Sequence, residues 1–226
     1  MDLKLHYDEM WSKSMQAYEQ GRFHLDSWLD RKDDDRFGIT LLLRPGKSAK
    51  KNIQKFLTQL QSIEPHQYYY PASDIHLTSM SIISCYSGFQ LDEISIDDYC
   101  SLLIECIENI SPFSIHFKGV TASDSCIMIQ GFPQNDQLDQ LRGLIREKFR
   151  NSKLENSLDK RYTLKTAHLT IMRYRNPLQH PKDWIQQITA FRDFDFGLCP
   201  INQLELVFND WYQRTEKVKK LHVFEL

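Results

Sequence analysis

The chain has 226 residues, 41% hydrophobic and 26% charged, which supplies apolar mass for one sizeable core and excludes a fibrous or low-complexity chain. Its formal net charge is −2, whereas a protein that coats duplex DNA ordinarily carries a basic surplus, so duplex DNA is not an expected partner. Five cysteines (Cys85, Cys100, Cys106, Cys126 and Cys199) form no Cys-x-x-Cys pair, so neither a disulfide framework nor a zinc ribbon is indicated and free thiols in a reducing compartment are expected.

In chain order, the first helix is predicted over 7–20, with Met10, Trp11, Met15 and Tyr18 at helical intervals and Gly21 as the stop. A charged loop fills 30–36. An apolar strand follows at 38–43, then a helix over 48–62 through Ile53, Phe56, Leu57 and Leu60. After Pro65 comes the aromatic run Tyr68, Tyr69, Tyr70, and a second strand over 75–83. A helix is predicted over 97–110, a strand pair at 113–120 and 126–132 linked by turn residues, and an amphipathic helix over 136–150 through Leu138, Leu141, Ile145 and Phe149. A basic loop with Lys160, Arg161 and Lys165 leads to a strand over 167–174. Pro181 opens a short helix to about Phe191, and strands at 194–198, 203–209 and 220–224 end the chain. No apolar stretch reaches membrane-spanning length and none resembles a secretory leader, so the expected location is cytoplasmic, with the nucleus open.

Two of these strands repeat one another. His76 and His168 stand 92 residues apart, and at the same offset Leu77 matches Leu169, Thr78 matches Thr170, Met80 matches Met172 and Tyr70 matches Tyr162. The shared pattern is Tyr-x5-His-Leu-Thr-x-Met. Each copy is followed by a helix and two strands. Two similar lobes are therefore expected, each presenting one His-Leu-Thr strand to a common groove. A lone His-x-Thr arises easily by chance, and a single such histidine is more often structural. The conjunction of two apolar strands, a shared middle residue and similar following elements favours a common site.

The chemistry suits the spacing. Residues i and i+2 of a strand share a face, so His76 and Thr78 project together, as do His168 and Thr170. An imidazole titrates near neutrality, so a histidine pair can supply a base and an acid at once. The hydroxyls can hold phosphate oxygens as charge develops. No metal or other cofactor is needed for this. Tyr68 and Tyr70 could stack on a base, although packing before Pro71 explains either one as well. The basic loop suits an anionic ligand and equally a solvated turn.

Paired His-x-Thr motifs on strands of a bilobal α+β chain resemble the 2H phosphoesterase superfamily, which includes RNA 2′,5′-ligase-like proteins and cyclic phosphodiesterases. The likeness spans roughly residues 37–226, leaving 1–36 as an N-terminal extension, either packing or a partial lid. It implies an α+β fold with pseudo-two-fold symmetry, antiparallel sheets around a central groove and helices outside. It implies a metal-independent phosphodiesterase acting on a nucleotide or RNA-terminal 2′,3′-cyclic or 2′-linked phosphodiester, with His76 and His168 as the acid–base pair and Thr78 and Thr170 holding phosphate. Arg173, five residues after the second histidine, would bind phosphate, and Tyr70 would contribute to substrate binding. Strict alternation places Arg173 on the face opposite His168, so it reaches the groove only through a twist or bulge. The expected partner is a nucleotide or short RNA end, with no membrane, for a monomeric protein. The alternative is a module that binds nucleotides or RNA ends in the same groove with little turnover.

Other signals are weaker. Gly46-Lys47-Ser48 suggests a phosphate-binding loop, but Leu41 stands where that motif needs glycine. His66 and His116 lack metal-ligand spacing, and no Gly-x-Ser-x-Gly elbow occurs.

Overall fold

The computed structural model describes residues 2–160 and 163–226. Arg161 of the basic loop and Tyr162 of the repeat lie outside the described residues. The elements are α1 (Leu3–Glu19), β1 (Arg36–Leu43), α2 (Lys47–Ile63), β2 (Tyr68–Tyr69), β3 (Leu77–Ser87), α3 (Ile96–Ile107), β4 (Phe113–Ala122), β5 (Cys126–Pro133), α4 (Gln137–Asn151), β6 (Leu169–Arg173), α5 (Pro181–Ala190), β7 (Asp195–Ile201), β8 (Gln203–Asp210) and β9 (Lys219–Glu225). The predicted helices and strands are all present, with shifted ends. The first helix begins earlier because the Asp2 side chain caps it, accepting from the Leu5 N–H at 3.1 Å.

The strands form one antiparallel sheet in the order β7-β4-β5-β6-β3-β1-β8-β9, with β2 paired to β6. Its two four-stranded halves meet at β3 and β6, where Leu77 pairs with Leu169. The sheet is strongly curled, and the chain itself requires this. β7 stands first in the order and β8 seventh, which in a flat sheet would separate them by about 29 Å. Yet only Asn202 lies between Ile201 and Gln203, a connection that spans about 7 Å at most. The β7 edge must therefore bend round towards β8, leaving a concave face.

The strands that follow each motif do not stay with it. β4 and β5, which follow the first motif, pair with each other and flank the second motif's strand β6, while β8 and β9 join β1 beside β3. The expected pair at 194–198 and 203–209 is likewise absent, since β7 pairs with β4 and β8 with β1. Period-2 alternation shows that a strand exists and which face it buries, but carries no label for its partner. The two lobes are thus built by exchange.

The helices cover the outside. α1 packs on β4 and α5, α2 on β7 and α5, and α3 with α4 against β9 and β3. The apolar stripes do this as predicted: Ile53, Phe56, Leu57 and Leu60 of α2 and Leu138, Leu141, Ile145 and Phe149 of α4 are buried. One buried member of the α4 stripe is charged: Arg142, at 1% exposure.

Candidate active site

The two motifs start their strands side by side. Since Leu77 faces Leu169 in antiparallel register, His76 stands across from Thr170 and Thr78 across from His168. All four project to the face opposite the buried leucines. They line one cavity of about 190 Å³ together with Tyr70, Ser81 and Arg173. Its lining comes from strands and loops alone. The site residues predicted from sequence are therefore brought together.

The repeat extends to the backbone. Across β1 and β3, Leu42 pairs with Thr78 and Leu41 with Met80, leaving Ser79 as an extra residue. Across β5 and β6, Met128 pairs with Thr170 and Ile127 with Met172, leaving Ile171 extra. Both motif strands bulge at matching positions of the repeat. The bulge at Ile171 restores the phase, so Arg173 falls on the face of His168 and Thr170 despite the odd spacing. In the other strand the residue matching Arg173 is Ser81, so the site carries this cation on one side only.

Each histidine is held through Nδ1 by the residue two positions earlier. His76 Nδ1 lies 2.7 Å from the Asp74 carbonyl oxygen. A carbonyl only accepts, so Nδ1 donates and the remaining nitrogen, Nε2, is left to act towards the cavity. The Asp74 loop is itself tied: its carboxylate, 3% exposed, accepts from Ser73 Oγ at 2.7 Å and from the Thr215 hydroxyl and N–H. His168 Nδ1 lies 2.7 Å from Thr166 Oγ1, a hydroxyl able to donate or accept. Burial pushes both imidazoles down from 6.5 to about 4, helped at His76 by Arg44 and Arg173 and at His168 by Arg142, His76 and Arg173. Both rings are therefore held neutral at pH 7.

Arg173 is fixed by three groups. Its Nε donates to the Tyr70 hydroxyl at 3.0 Å, its Nη1 lies 3.6 Å from Asp26, and its guanidinium sits 5.6 Å from the Tyr212 ring centroid. Tyr70 is 2% exposed, so its clearest contribution is the hydroxyl that aims Arg173. Asp26 also accepts from Tyr212 Oη at 2.9 Å, which ties the N-terminal extension to the site's rim.

Several residues of the site were not found from sequence. Arg142 reaches beneath both motifs: Nε donates to Ser79 O at 2.9 Å, and Nη2 to Thr78 O at 3.2 Å and Thr166 O at 2.8 Å. It thus fills the carbonyl left by the Ser79 bulge and clamps the two strand starts together. The signal was legible, for Arg142 sits within the apolar stripe of α4. Tyr7 of α1 braces the residue after Thr166, its hydroxyl accepting from Ala167 N at 3.1 Å and contacting the Gly131 backbone. The loop before β6 is pinned to β3 by Ser84 N donating to Ser157 Oγ at 2.6 Å. Asn209, Trp211 and Gln213 also line the cavity. Outside the site, Gly46-Lys47-Ser48 merely opens α2, and His116 pairs with Asp195 at 2.8 Å on the surface. Among the described residues no three His, Cys, Asp or Glu side chains cluster as metal donors, and no helix is long and apolar enough to cross a membrane.

No protein-family model matches the chain, and no curated protein matches it in sequence. Solved structures do. E. coli LigT complexed with 3′-AMP is similar at a TM-score of 0.57 and 14% identity, over 84% of this chain and 98% of that one. A structure described as a phosphoesterase is similar at 0.55 and 12%, over 84% and 98%. TT0787 of Thermus thermophilus is similar at 0.52 and 14%, over 84% and 97%. The chain has the 2H phosphoesterase fold. That fold is the curled antiparallel sheet with outer helices described above, with both motifs on its concave face. LigT has also been solved with ATP and with phosphate.

Proposed function

We propose that the chain is a metal-independent phosphoesterase that acts on a 2′,3′-cyclic or 2′-linked phosphodiester of a nucleotide or RNA end. The observation that carries this reading is the four-residue cluster at the Leu77–Leu169 seam, which sets two imidazoles and two hydroxyls on one face. Nucleotides in similar LigT structures and the bulge that turns Arg173 to the same face support it.

In this reading the phosphate sits between the strands. Thr78, Thr170 and Arg173 donate to its non-bridging oxygens. His76, whose Nδ1–H is held by a carbonyl, takes a proton from the attacking water through Nε2 while the water oxygen bonds to phosphorus. His168, whose hydroxyl partner accommodates either protonation state, gives a proton to the departing ribose oxygen as the P–O bond breaks. The phosphate's negative charge between the rings raises their proton affinity, so binding itself charges His168.

The test is hydrolysis of nucleoside 2′,3′-cyclic phosphates in EDTA by wild type, His76→Ala and His168→Ala. Turnover that survives EDTA and falls by about 10²–10⁴ in each variant supports the mechanism; turnover indifferent to both substitutions overturns it. The nucleotide-binding module is a second reading because burial lowers both imidazoles to about 4, which leaves neither ring charged to serve as the acid at pH 7; nucleotide retention without turnover would select it.

A further inference from the structure

The N-terminal extension supplies a counter-charge to the cation of the site. Asp26 Oδ2 lies 3.6 Å from Arg173 Nη1, and the two side chains are 13% and 18% exposed. That distance is short enough for the charges to offset one another and too long for a hydrogen bond. Among the described residues Nε is the one Arg173 nitrogen with a hydrogen bond, to the Tyr70 hydroxyl, so both Nη groups stay available to a ligand. Asp26 is itself fixed. Its N–H donates at 2.8 Å to the carbonyl of Tyr174, the residue after Arg173. Its Oδ1 accepts from Tyr212 Oη at 2.9 Å and from Trp28 N at 3.2 Å, which leaves Oδ2 for Arg173. The second charged group on the cavity is balanced in the same way. With the imidazoles neutral, the charged side chains among the described lining residues are Arg173 and Asp159, and Asp159 pairs with Arg146 at 2.7 Å.

We propose that Asp26 is a positioning residue that holds Arg173 at a reduced effective charge, so that the site prefers a singly charged phosphodiester to a doubly charged phosphomonoester. The proposal rests on the phosphoesterase reading and adds what that reading lacks, a reason for the product to leave. Opening a cyclic phosphate turns a monoanion into a monoester that carries two charges above its second pKa of about 6. An arginine without a counter-charge would attract the second charge and retain the product. Arg173 beside Asp26 still offers its planar fork to the phosphate oxygens, while the carboxylate next to it repels the additional charge.

The experiment measures, by calorimetry at pH 8, the binding of 2′-deoxyadenosine 3′-monophosphate and of its methyl ester. The first is doubly and the second singly charged there, and without a 2′-hydroxyl neither can cyclise. Hydrolysis of a nucleoside 2′,3′-cyclic phosphate is followed in the same preparations. Enzymes are wild type, Asp26→Asn and Tyr70→Phe. Asparagine keeps an oxygen for Tyr212 and Trp28 and removes the charge alone, whereas phenylalanine loosens Arg173 and leaves every charge in place. The methyl ester bound about tenfold more tightly than the monoester by wild type, with that ratio lost in Asp26→Asn and kept in Tyr70→Phe, supports the proposal. A misplaced Arg173 weakens both ligands alike, so loss of structure by itself does not move the ratio. A wild type that prefers the monoester, or an Asp26→Asn ratio equal to that of wild type, overturns the proposal, and continued hydrolysis of the cyclic phosphate leaves the phosphoesterase reading intact. Binding of neither compound also overturns it, and absence of hydrolysis as well removes the phosphoesterase reading with it.

Discussion

Leu77 faces Leu169 across the seam of the sheet, and this pair sets the spacing of the site. Both leucines are fully buried, so the register that satisfies the core also fixes which residues stand opposite one another on the other face. A slip of one residue would turn the leucines towards solvent and the histidines inward. Core packing and the placement of the histidines are therefore one constraint.

Acid should destabilise the protein through this pair. Burial holds both imidazoles at about 4, below the ordinary 6.5. Between those values the unfolded chain binds protons that the folded chain refuses, so stability is full above about pH 6.5 and falls as pH drops towards 4. The loss is on the order of 3 kcal/mol for each ring. Urea unfolding at pH 7, 5.5 and 4.5 should show this slope, and His76→Gln with His168→Gln should flatten it. An equal slope in the double variant would place its origin elsewhere.

Arg142→Leu should cost about 3–5 kcal/mol, because the carbonyls of Thr78, Ser79 and Thr166 lose their donor together. Arg142→Lys should be intermediate, since one ammonium cannot reproduce a planar fork. Thermal denaturation measures both. A leucine variant within about 1 kcal/mol of wild type would show that the clamp is dispensable.

Gly131→Ala should disrupt the start of β6. A β-carbon there would lie 1.9 Å from the Ala167 carbonyl oxygen, so β5 and β6 would have to part beside His168. We expect roughly 1–3 kcal/mol or more of destabilisation, the range of overpacking, with lower kcat in whatever folds. Tyr7→Phe removes the hydroxyl that serves Ala167 and Gly131 and should cost about 1 kcal/mol. Denaturant midpoints with kcat for both variants check this; full activity in Gly131→Ala would show that the two strands part without moving the histidine.

Arg173→Lys should raise KM by about tenfold or more, since lysine keeps the charge and loses the fork. Tyr70→Phe should raise KM less, by releasing Arg173 Nε from its 3.0 Å partner. Steady-state kinetics on the best cyclic nucleotide tests the order; Tyr70→Phe exceeding Arg173→Lys would contradict the assigned hierarchy.

The sequence carried the elements and the heart of the site because both rest on local periodicity. The His-Leu-Thr strands, the α4 stripe and the helix-opening proline at 181 were readable residue by residue. Partner choice was not, because β4 and β5 alternate in the same way whichever motif strand they flank. The same limit hid Asn209 and Gln213, which look like polar residues at a strand end until the fold surrounds them. Arg173 was in doubt for want of one bulge, and a bulge leaves no composition mark at Ile171 or Ser79. Arg142 was the one omission that helical spacing alone exposed.

The exchange of strands between the two halves has a kinetic consequence. β1 pairs with β8 in a register that joins Phe37 to Asp210, so the half holding the first motif closes only after nearly the whole chain exists. A growing polypeptide would carry β1 with one flank unpaired for most of its synthesis, until β8 at Gln203–Asp210 emerges. Contacts so distant in sequence fold slowly and expose strand edges meanwhile. Cutting the gene between the repeats would yield two pieces that each lack strands the other holds, and their recovery would depend on mixing both.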